Sequence, residues 1–255
     1  MSRKSIKYTF DNGRGQKLAA ILDTPETQPD FYGVFGPCFT CPKESHGAAK
    51  ICRALAERNI AMLRIDTTGV GSSEGDATAT NFTSRIADLI AACKFVESEF
   101  AAPKLLVGHS MSGTAALAAV QSLPSIEVVA TVGSPADPAH TIAKFRQQNA
   151  ITAREDGLID VMVINRKIPF QPGFVDDMLA QNVAADTAAI QQKLFAFHAP
   201  HDNIVDYKEA EQIAAAAPNG TLIRLADEAT HLFENRPDDA EFVAETLAQW
   251  FKQNS

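Results

Sequence analysis

The chain opens with two alternating segments, "SIKYTF" and "KLAAIL", on either side of the turn-forming "DNGRG". Alternation of apolar and polar positions marks a half-buried strand, and Asn-Gly supplies the positive φ of a tight turn, so the segment predicts an antiparallel hairpin. The pattern then changes to short, continuously apolar runs: "YGVFG", "AMLRID", "KLLVG", "EVVATVG", "KLFAFH" and "TLIRLA". Most are separated by stretches with helical spacing, such as "AAKICRALAERN", "FTSRIADLIAACKFVESEF", "SGTAALAAVQSL", "YKEAEQIAAAA" and "AEFVAETLAQWF". Strand alternating with helix predicts a mainly parallel, twisted α/β sheet of about eight strands with helices on both faces. Right-handed crossovers then line up the C-terminal ends of the strands along one edge, where open α/β sheets bind ligands.

From Pro135 to about Gln192 this rhythm breaks. There "ADPAHTIAKFRQQ" predicts a helix, "LIDVMVINRKIPF" a pair of short strands and "FVDDMLAQ" a further helix. Residues 135–192 therefore read as an insertion within a single domain spanning 1–255. Set between two late strands, it is either a lid or pocket wall over the site or a structural embellishment.

Composition narrows the function classes. A chain of 255 residues with 45% hydrophobic and 21% charged residues is an ordinary globular composition, within the size one α/β domain reaches. It has no apolar stretch of roughly 18 residues, which argues against membrane insertion. The start "MSRKSIKYTF" lacks the apolar region and cleavage site of a secretory signal, so a cytoplasmic location is expected. A net charge of -8 disfavours nucleic acid, whose phosphates call for clustered Lys and Arg. Cys52 and Cys93 fall in Ala-rich helical patterns and read as buried thiols rather than parts of a disulfide framework. His46 and His140 have no partner at metal-ligand spacing, and Gly69, Gly71 and Gly75 do not form a dinucleotide fingerprint. No metal and no cofactor are called.

The sharpest chemical signal is "GHSMSG", Gly108 to Gly113, between "KLLV" and "TAALAAV". A strand turning at once into a helix must bend sharply at Ser110 and leave its hydroxyl exposed above the sheet edge, as in G-x-S-x-G. Ser112 stands where that motif has its second glycine. A helix-capping serine is the structural alternative. A serine nucleophile needs a base and a group that orients the base. Both occur later, past strand ends: Asp202 in "APHDNIVD" and His231 in "DEATHLF". In this reading His231 takes the proton of Ser110 and returns it to the leaving group, and Asp202 fixes its tautomer. Among rivals, Asp206 reads as a helix cap, His198 as a packed or loop-tethering histidine, His201 as solvent-facing and His109 as a brace for the turn. Asp66 ranks below Asp202 because "TTGVGSSEG" after it reads as a structural turn.

Taken together, "LLVGHSMSG", "FHAPHDNIV" and "DEATHLF" resemble the nucleophile elbow, acid loop and histidine loop of the α/β-hydrolase family over nearly the whole chain. "CFTCPKES", "LRIDTTGVGSSEG" and "NFTSRIADL" are similar to the hydrolase domains often fused to an OsmC-like domain. Two departures stand out: Pro37 where that group has His before the first Cys, and a chain that ends at Ser255 without the partner domain. The resemblance implies an oxyanion hole of two backbone N–H groups, from Met111 and, by position, Phe39.

The C-x-x-C of Cys38 and Cys41 keeps a thiol redox enzyme as a competing class, although a thioredoxin-like unit is much smaller than this chain. The expected role of the two cysteines is small, adaptable packing beside the oxyanion loop. The function expected is a carboxylesterase-type serine hydrolase acting on a small-molecule ester of short to medium acyl chain. Phe145, Ile168, Phe170, Phe174 and Met178 are the candidate acyl pocket. Thioester hydrolysis or acyl transfer would use the same triad, and a non-catalytic binding module is the remaining alternative.

Overall fold

The computed structural model describes residues 2–163, 166–234 and 236–254. The opening segments form the hairpin β1 (Arg3–Asp11) and β2 (Lys17–Pro25), paired with Phe10 opposite Leu18. Next come β3 (Phe31–Gly36), α1 (His46–Ala56), β4 (Ile60–Ile65), α2 (Phe82–Glu99), β5 (Leu105–His109), α3 (Met111–Ala119) and β6 (Val128–Val132). After the inserted segment the chain completes β10 (Lys193–His198), α7 (Tyr207–Ala216), β11 (Gly220–Arg224) and α8 (Pro237–Asn254). These strands make one eight-stranded sheet in the order β1-β2-β4-β3-β5-β6-β10-β11. Pairing is antiparallel from β1 to β4 and parallel from there on.

Period-two alternation explains why the apolar runs are strands buried on both faces. In β5, Leu105 and Val107 join a core with Ile51 and Leu55 of α1 and Val243 and Leu247 of α8. Leu106, between them, joins the opposite core with Leu89 of α2 and Leu117 of α3. β6 repeats the device with Val128 and Ala130 on one side and Val129 on the other. Local signals set the helix boundaries: Asn81 accepts from the Ser84 amide while the Ser84 side chain returns to the Asn81 amide, a capping box that starts α2. Among the described residues no helix is long and apolar enough to cross a membrane.

Between β6 and β10 lie α4 (Pro138–Gln147), β7 (Ile151–Ala153), β8 (Ile159–Val163), β9 (Arg166–Phe170), α5 (Gly173–Leu179) and α6 (Val183–Ala189). β7, β8 and β9 form a separate antiparallel sheet, with Ile151 opposite Val161 and Ile159 opposite Phe170. The sequence pattern predicts only two strands and two helices here. β7 is three residues long and mostly exposed, and α6 buries only Val183 and Thr187, so neither leaves a readable hydrophobic period. Ile164 and Asn165, in the middle of the expected strand pair, lie outside the described residues.

Candidate active site

The chain runs from β3 outward to β4 and returns to place β5 on the other side of β3. This reversal opens a crevice above the ends of β3 and β5, the switch point where ligands of doubly wound sheets bind. The turn after β3 and Ser110 after β5 both face it.

Ser110 adopts φ 54° and ψ -129°, a conformation that costs a non-glycine residue on the order of 1–3 kcal/mol. Fixed bonds hold it there: its amide donates to the Val132 carbonyl at 2.8 Å, and the Gly113 amide donates to the Ser110 carbonyl at 2.8 Å. The strand and helix approach so closely that a Cβ on Gly108 would fall 2.3 Å from the Ser112 carbonyl oxygen. A Cβ on Gly113 would fall 2.7 Å from the Gly108 carbonyl oxygen and 2.9 Å from Ser134 Cβ. The steric need met by the second glycine of the motif therefore rests on Gly113. Position 112 is free to carry a hydroxyl, which donates to the Pro37 carbonyl at 2.5 Å and accepts from Arg85 Nη1 at 2.9 Å.

Asp202 lies in the loop after β10 and His231 in the loop after β11. His231 Nδ1–H donates to Asp202 Oδ2 at 2.7 Å, and both side chains are nearly fully buried. The other carboxylate oxygen accepts from the Ile204 and Val205 amides at 2.8 and 3.0 Å. Burial alone would raise the Asp202 pKa, but the hydrogen bond and charge of His231 and the two backbone donors outweigh it and hold the carboxyl below its usual range. With Nδ1 committed, Nε2 is the nitrogen left to accept a proton. Ser110 and His231 line the same cavity without a hydrogen bond between their side chains. In many enzymes that contact tightens only once substrate is bound.

The neighbouring groups act as supports. His109 Nε2–H donates to the His231 carbonyl at 2.7 Å, and burial followed by the charge of His231 lowers its pKa to about 3. His198 Nε2–H donates to the Val205 carbonyl at 3.0 Å, and burial lowers its pKa as well. His201 is exposed, and Asp206 caps α7 by accepting from the Lys208 amide at 2.9 Å. Asp66 is bound by the Lys43 amide and ammonium, both at 2.6 Å, and by the Ser72 amide at 2.8 Å, so it braces its turn away from His231. On α4, His140 pairs with Glu209 at 2.9 Å.

The turn after β3 closes through a hydrogen bond from the Cys41 amide to the Cys38 carbonyl at 3.0 Å, with Thr40 at φ 64°. The expected packing thiols at 38 and 41 are instead joined as a disulfide. The turn brings their Cα atoms to 5.2 Å, within bridging range. Cys52 and Cys93 are free and buried. Neither the Phe39 nor the Met111 amide donates to another group among the described residues; Met111 opens α3, where N–H groups have no intrahelical acceptor.

Phe39, Ser110, Met111 and His231 line one cavity of about 650 Å³, together with Phe145, Phe174 and Met178 of the inserted segment. Two of the expected pocket residues do not line it. Phe170 is buried behind the wall, stacked 4.3 Å from Phe174 and 5.5 Å from Phe39. Ile168, in β9 of the small sheet, lies opposite Val161 and packs against the core. Residues that sequence reasoning missed take their place: Met162, Ile204, and the polar His140, Lys144 and Glu209. The four-residue spacing of His140 and Lys144 along α4, continued by its C-cap Gln148, could have revealed a shared face.

A family model described as serine aminopeptidase, S33, matches residues 43–156. The esterase domain of a Rhodothermus marinus protein is 36% identical, with 99% of each chain covered and a TM-score of 0.78. Est1E from Butyrivibrio proteoclasticus, solved with ferulic acid, shares the fold at 17% identity over 96% of this chain and 98% of its own, TM-score 0.79. XC6422 from Xanthomonas campestris, described as a serine hydrolase without lid, does so at 18% identity over 98% and 96%, TM-score 0.65. A search of curated proteins finds no match. With a strained serine at a strand–helix turn, a buried Asp–His pair at neighbouring strand ends, and this identity over its full length, the chain belongs to the α/β-hydrolase family.

Proposed function

We propose that this protein is a serine hydrolase that cleaves small carboxylic esters through an acyl-enzyme on Ser110. The observation that carries the reading is the buried Asp202–His231 hydrogen bond of 2.7 Å, beside the cavity into which the strained Ser110 opens. The Ser110 hydroxyl attacks the ester carbonyl and its proton passes to His231 Nε2. The oxyanion that forms accepts from the Phe39 and Met111 amides, which have no other acceptor among the described residues and cost no reorganisation at the moment of reaction. Collapse of the intermediate expels the alcohol, which takes the proton from His231. Water then attacks the acyl-enzyme as His231 withdraws its proton, and the acid leaves with Ser110 restored. Asp202 holds the imidazole in the required tautomer and stabilises its cation.

The apolar wall of Phe39, Phe145, Phe174 and Met178 suits a short to medium acyl group in a cavity of about 650 Å³. That the 36%-identical relative is described as an esterase domain supports an ester over other acyl compounds. Hydrolysis of p-nitrophenyl esters from acetate to decanoate tests the reading. Turnover peaking at short or medium chains and abolished in Ser110→Ala is expected; no turnover at any length would refute it.

A further inference from the structure

Pro37, ahead of the C-x-x-C, and Ser112, at the place of the elbow motif's second glycine, are joined to one buried side chain. Arg85 of α2 is 6% exposed, and among the described residues its guanidinium has no carboxylate partner; the nearby Asp88 is taken by Arg14 at 2.6 Å. Burial lowers its pKa to about 10, which leaves it a cation at neutral pH. The charge of Asp88 opposes that shift without a direct ion pair, so what the guanidinium touches matters. Arg85 Nη1 donates to Ser112 Oγ at 2.9 Å, and that hydroxyl donates to the Pro37 carbonyl at 2.5 Å. Proline has no N–H, so its carbonyl is the backbone group through which this residue can be tethered. The guanidinium carbon also lies 5.2 Å from the centre of the Phe39 ring, within cation–π range. From the inserted segment the same ring meets Phe170 at 5.5 Å and Phe174 at 5.9 Å. Arg85 therefore grips the oxyanion loop twice, through the carbonyl of residue 37 and through the side chain of residue 39, on either side of the peptide that carries the Phe39 N–H. It does not line the cavity, so it acts through these groups rather than on substrate.

We propose that Arg85, acting through Ser112 and the Phe39 ring, is a positioning residue that holds the Phe39 amide where the tetrahedral oxyanion forms. This rests on the reading of Phe39 as an oxyanion donor. It also gives Ser112 a role that the motif's glycine could not fill, since glycine has no hydroxyl to join the guanidinium to the loop.

The test is a cycle of Arg85→Met, Ser112→Ala and the double variant, with Arg85→Lys as the conservative replacement. Three readouts apply: kcat and KM for p-nitrophenyl butyrate, the Ki of an alkyl trifluoromethyl ketone that forms a tetrahedral adduct on Ser110, and the thermal midpoint. Arg85→Met is expected to lower kcat about 10- to 100-fold, the scale of a misplaced catalytic group, with KM within about twofold. The ketone Ki rises by a similar factor. Ser112→Ala loses less, about 3- to 10-fold, because the contact of Arg85 with Phe39 survives. Arg85→Lys falls in between, since it keeps the cation without the planar fork. The double variant loses less than the product of the two single losses, because both act partly through one chain of contacts. Because burial costs the Arg85 cation more than the charge of Asp88 returns, its removal changes the thermal midpoint little. Unchanged kcat and Ki in both single variants would overturn the inference, as would a lower midpoint with full activity per folded molecule. If Arg85→Met fails to fold, Ser112→Ala decides by the same two criteria. If the wild type hydrolyses esters yet does not bind the ketone, the oxyanion reading itself falls; if the wild type binds it and every variant matches, only the role of Arg85 falls.

Discussion

Gly113→Ala sets two opposing effects against each other. Position 113 lies in the first turn of α3, and replacing a helical glycine by alanine ordinarily gains up to about 1 kcal/mol. Here the added Cβ would fall 2.0 Å from Ser134 Oγ, 2.9 Å from Ser134 Cβ and 2.7 Å from the Gly108 carbonyl oxygen. A serine hydroxyl can rotate away, but a Cβ and the carbonyl of a paired central strand cannot, so α3 must shift away from β5. Overpacking of this kind costs typically 1–3 kcal/mol, which exceeds the propensity gain. The expected net loss is about 1–2 kcal/mol, roughly 2–8 °C in thermal midpoint for a chain of this size. Because the shift moves the Met111 amide and Ser110 together, kcat falls as well. Thermal denaturation followed by circular dichroism and p-nitrophenyl butyrate turnover measure both quantities. A variant as stable and active as the wild type would show that Gly113 does not carry the close approach and that the account of the displaced glycine is wrong.

Other outcomes follow from the same geometry. Asp202→Asn keeps the shape but offers His231 an amide that can stabilise the wrong tautomer, so kcat should fall about 10³- to 10⁴-fold with folding intact; a loss under tenfold would remove Asp202 from its role. Cys38→Ser with Cys41→Ser should retain most ester hydrolysis; hydrolysis lost in that variant but kept in Ser110→Ala would not fit a serine enzyme. His109 titrates near 3 when folded and near the usual 6.5 when unfolded, so the unfolded chain binds the extra proton between these values. Its contribution is complete above about pH 6.5 and is lost as pH falls, at about 1.4 kcal/mol per unit for one proton. In urea titrations, His109→Gln should therefore show a shallower loss of stability from pH 6 to pH 4; parallel slopes would contradict the burial of a neutral His109.

The regular framework was legible because its signals are local and periodic. Runs such as "LLV" after Lys104 and "VVA" after Glu127 place consecutive apolar residues on both faces, as a strand covered on both sides requires. Ser110, Asp202 and His231 were readable because each follows a strand end, and parallel connections bring all such ends to one edge. What escaped depends on contacts between distant segments. The pairing of Arg85 with Ser112 and Phe39 joins residues on α2, α3 and the β3 turn, and no period in the sequence marks it. In the inserted segment the strand face decides: Phe170 and Ile168 are as apolar as Phe174, yet they back the wall rather than form it. The disulfide needed the conformation of the turn as well as the spacing of its cysteines.

The most direct test of the central claim is to quench the enzyme during turnover of a p-nitrophenyl ester, or after fluorophosphonate treatment, and to map the adduct by peptide mass spectrometry. One acyl or phosphonyl group on Ser110 is expected, absent in Ser110→Ala and formed much more slowly in Asp202→Asn. An unmodified Ser110 during turnover, or a label carried by Cys38, Cys41 or another serine, would contradict it.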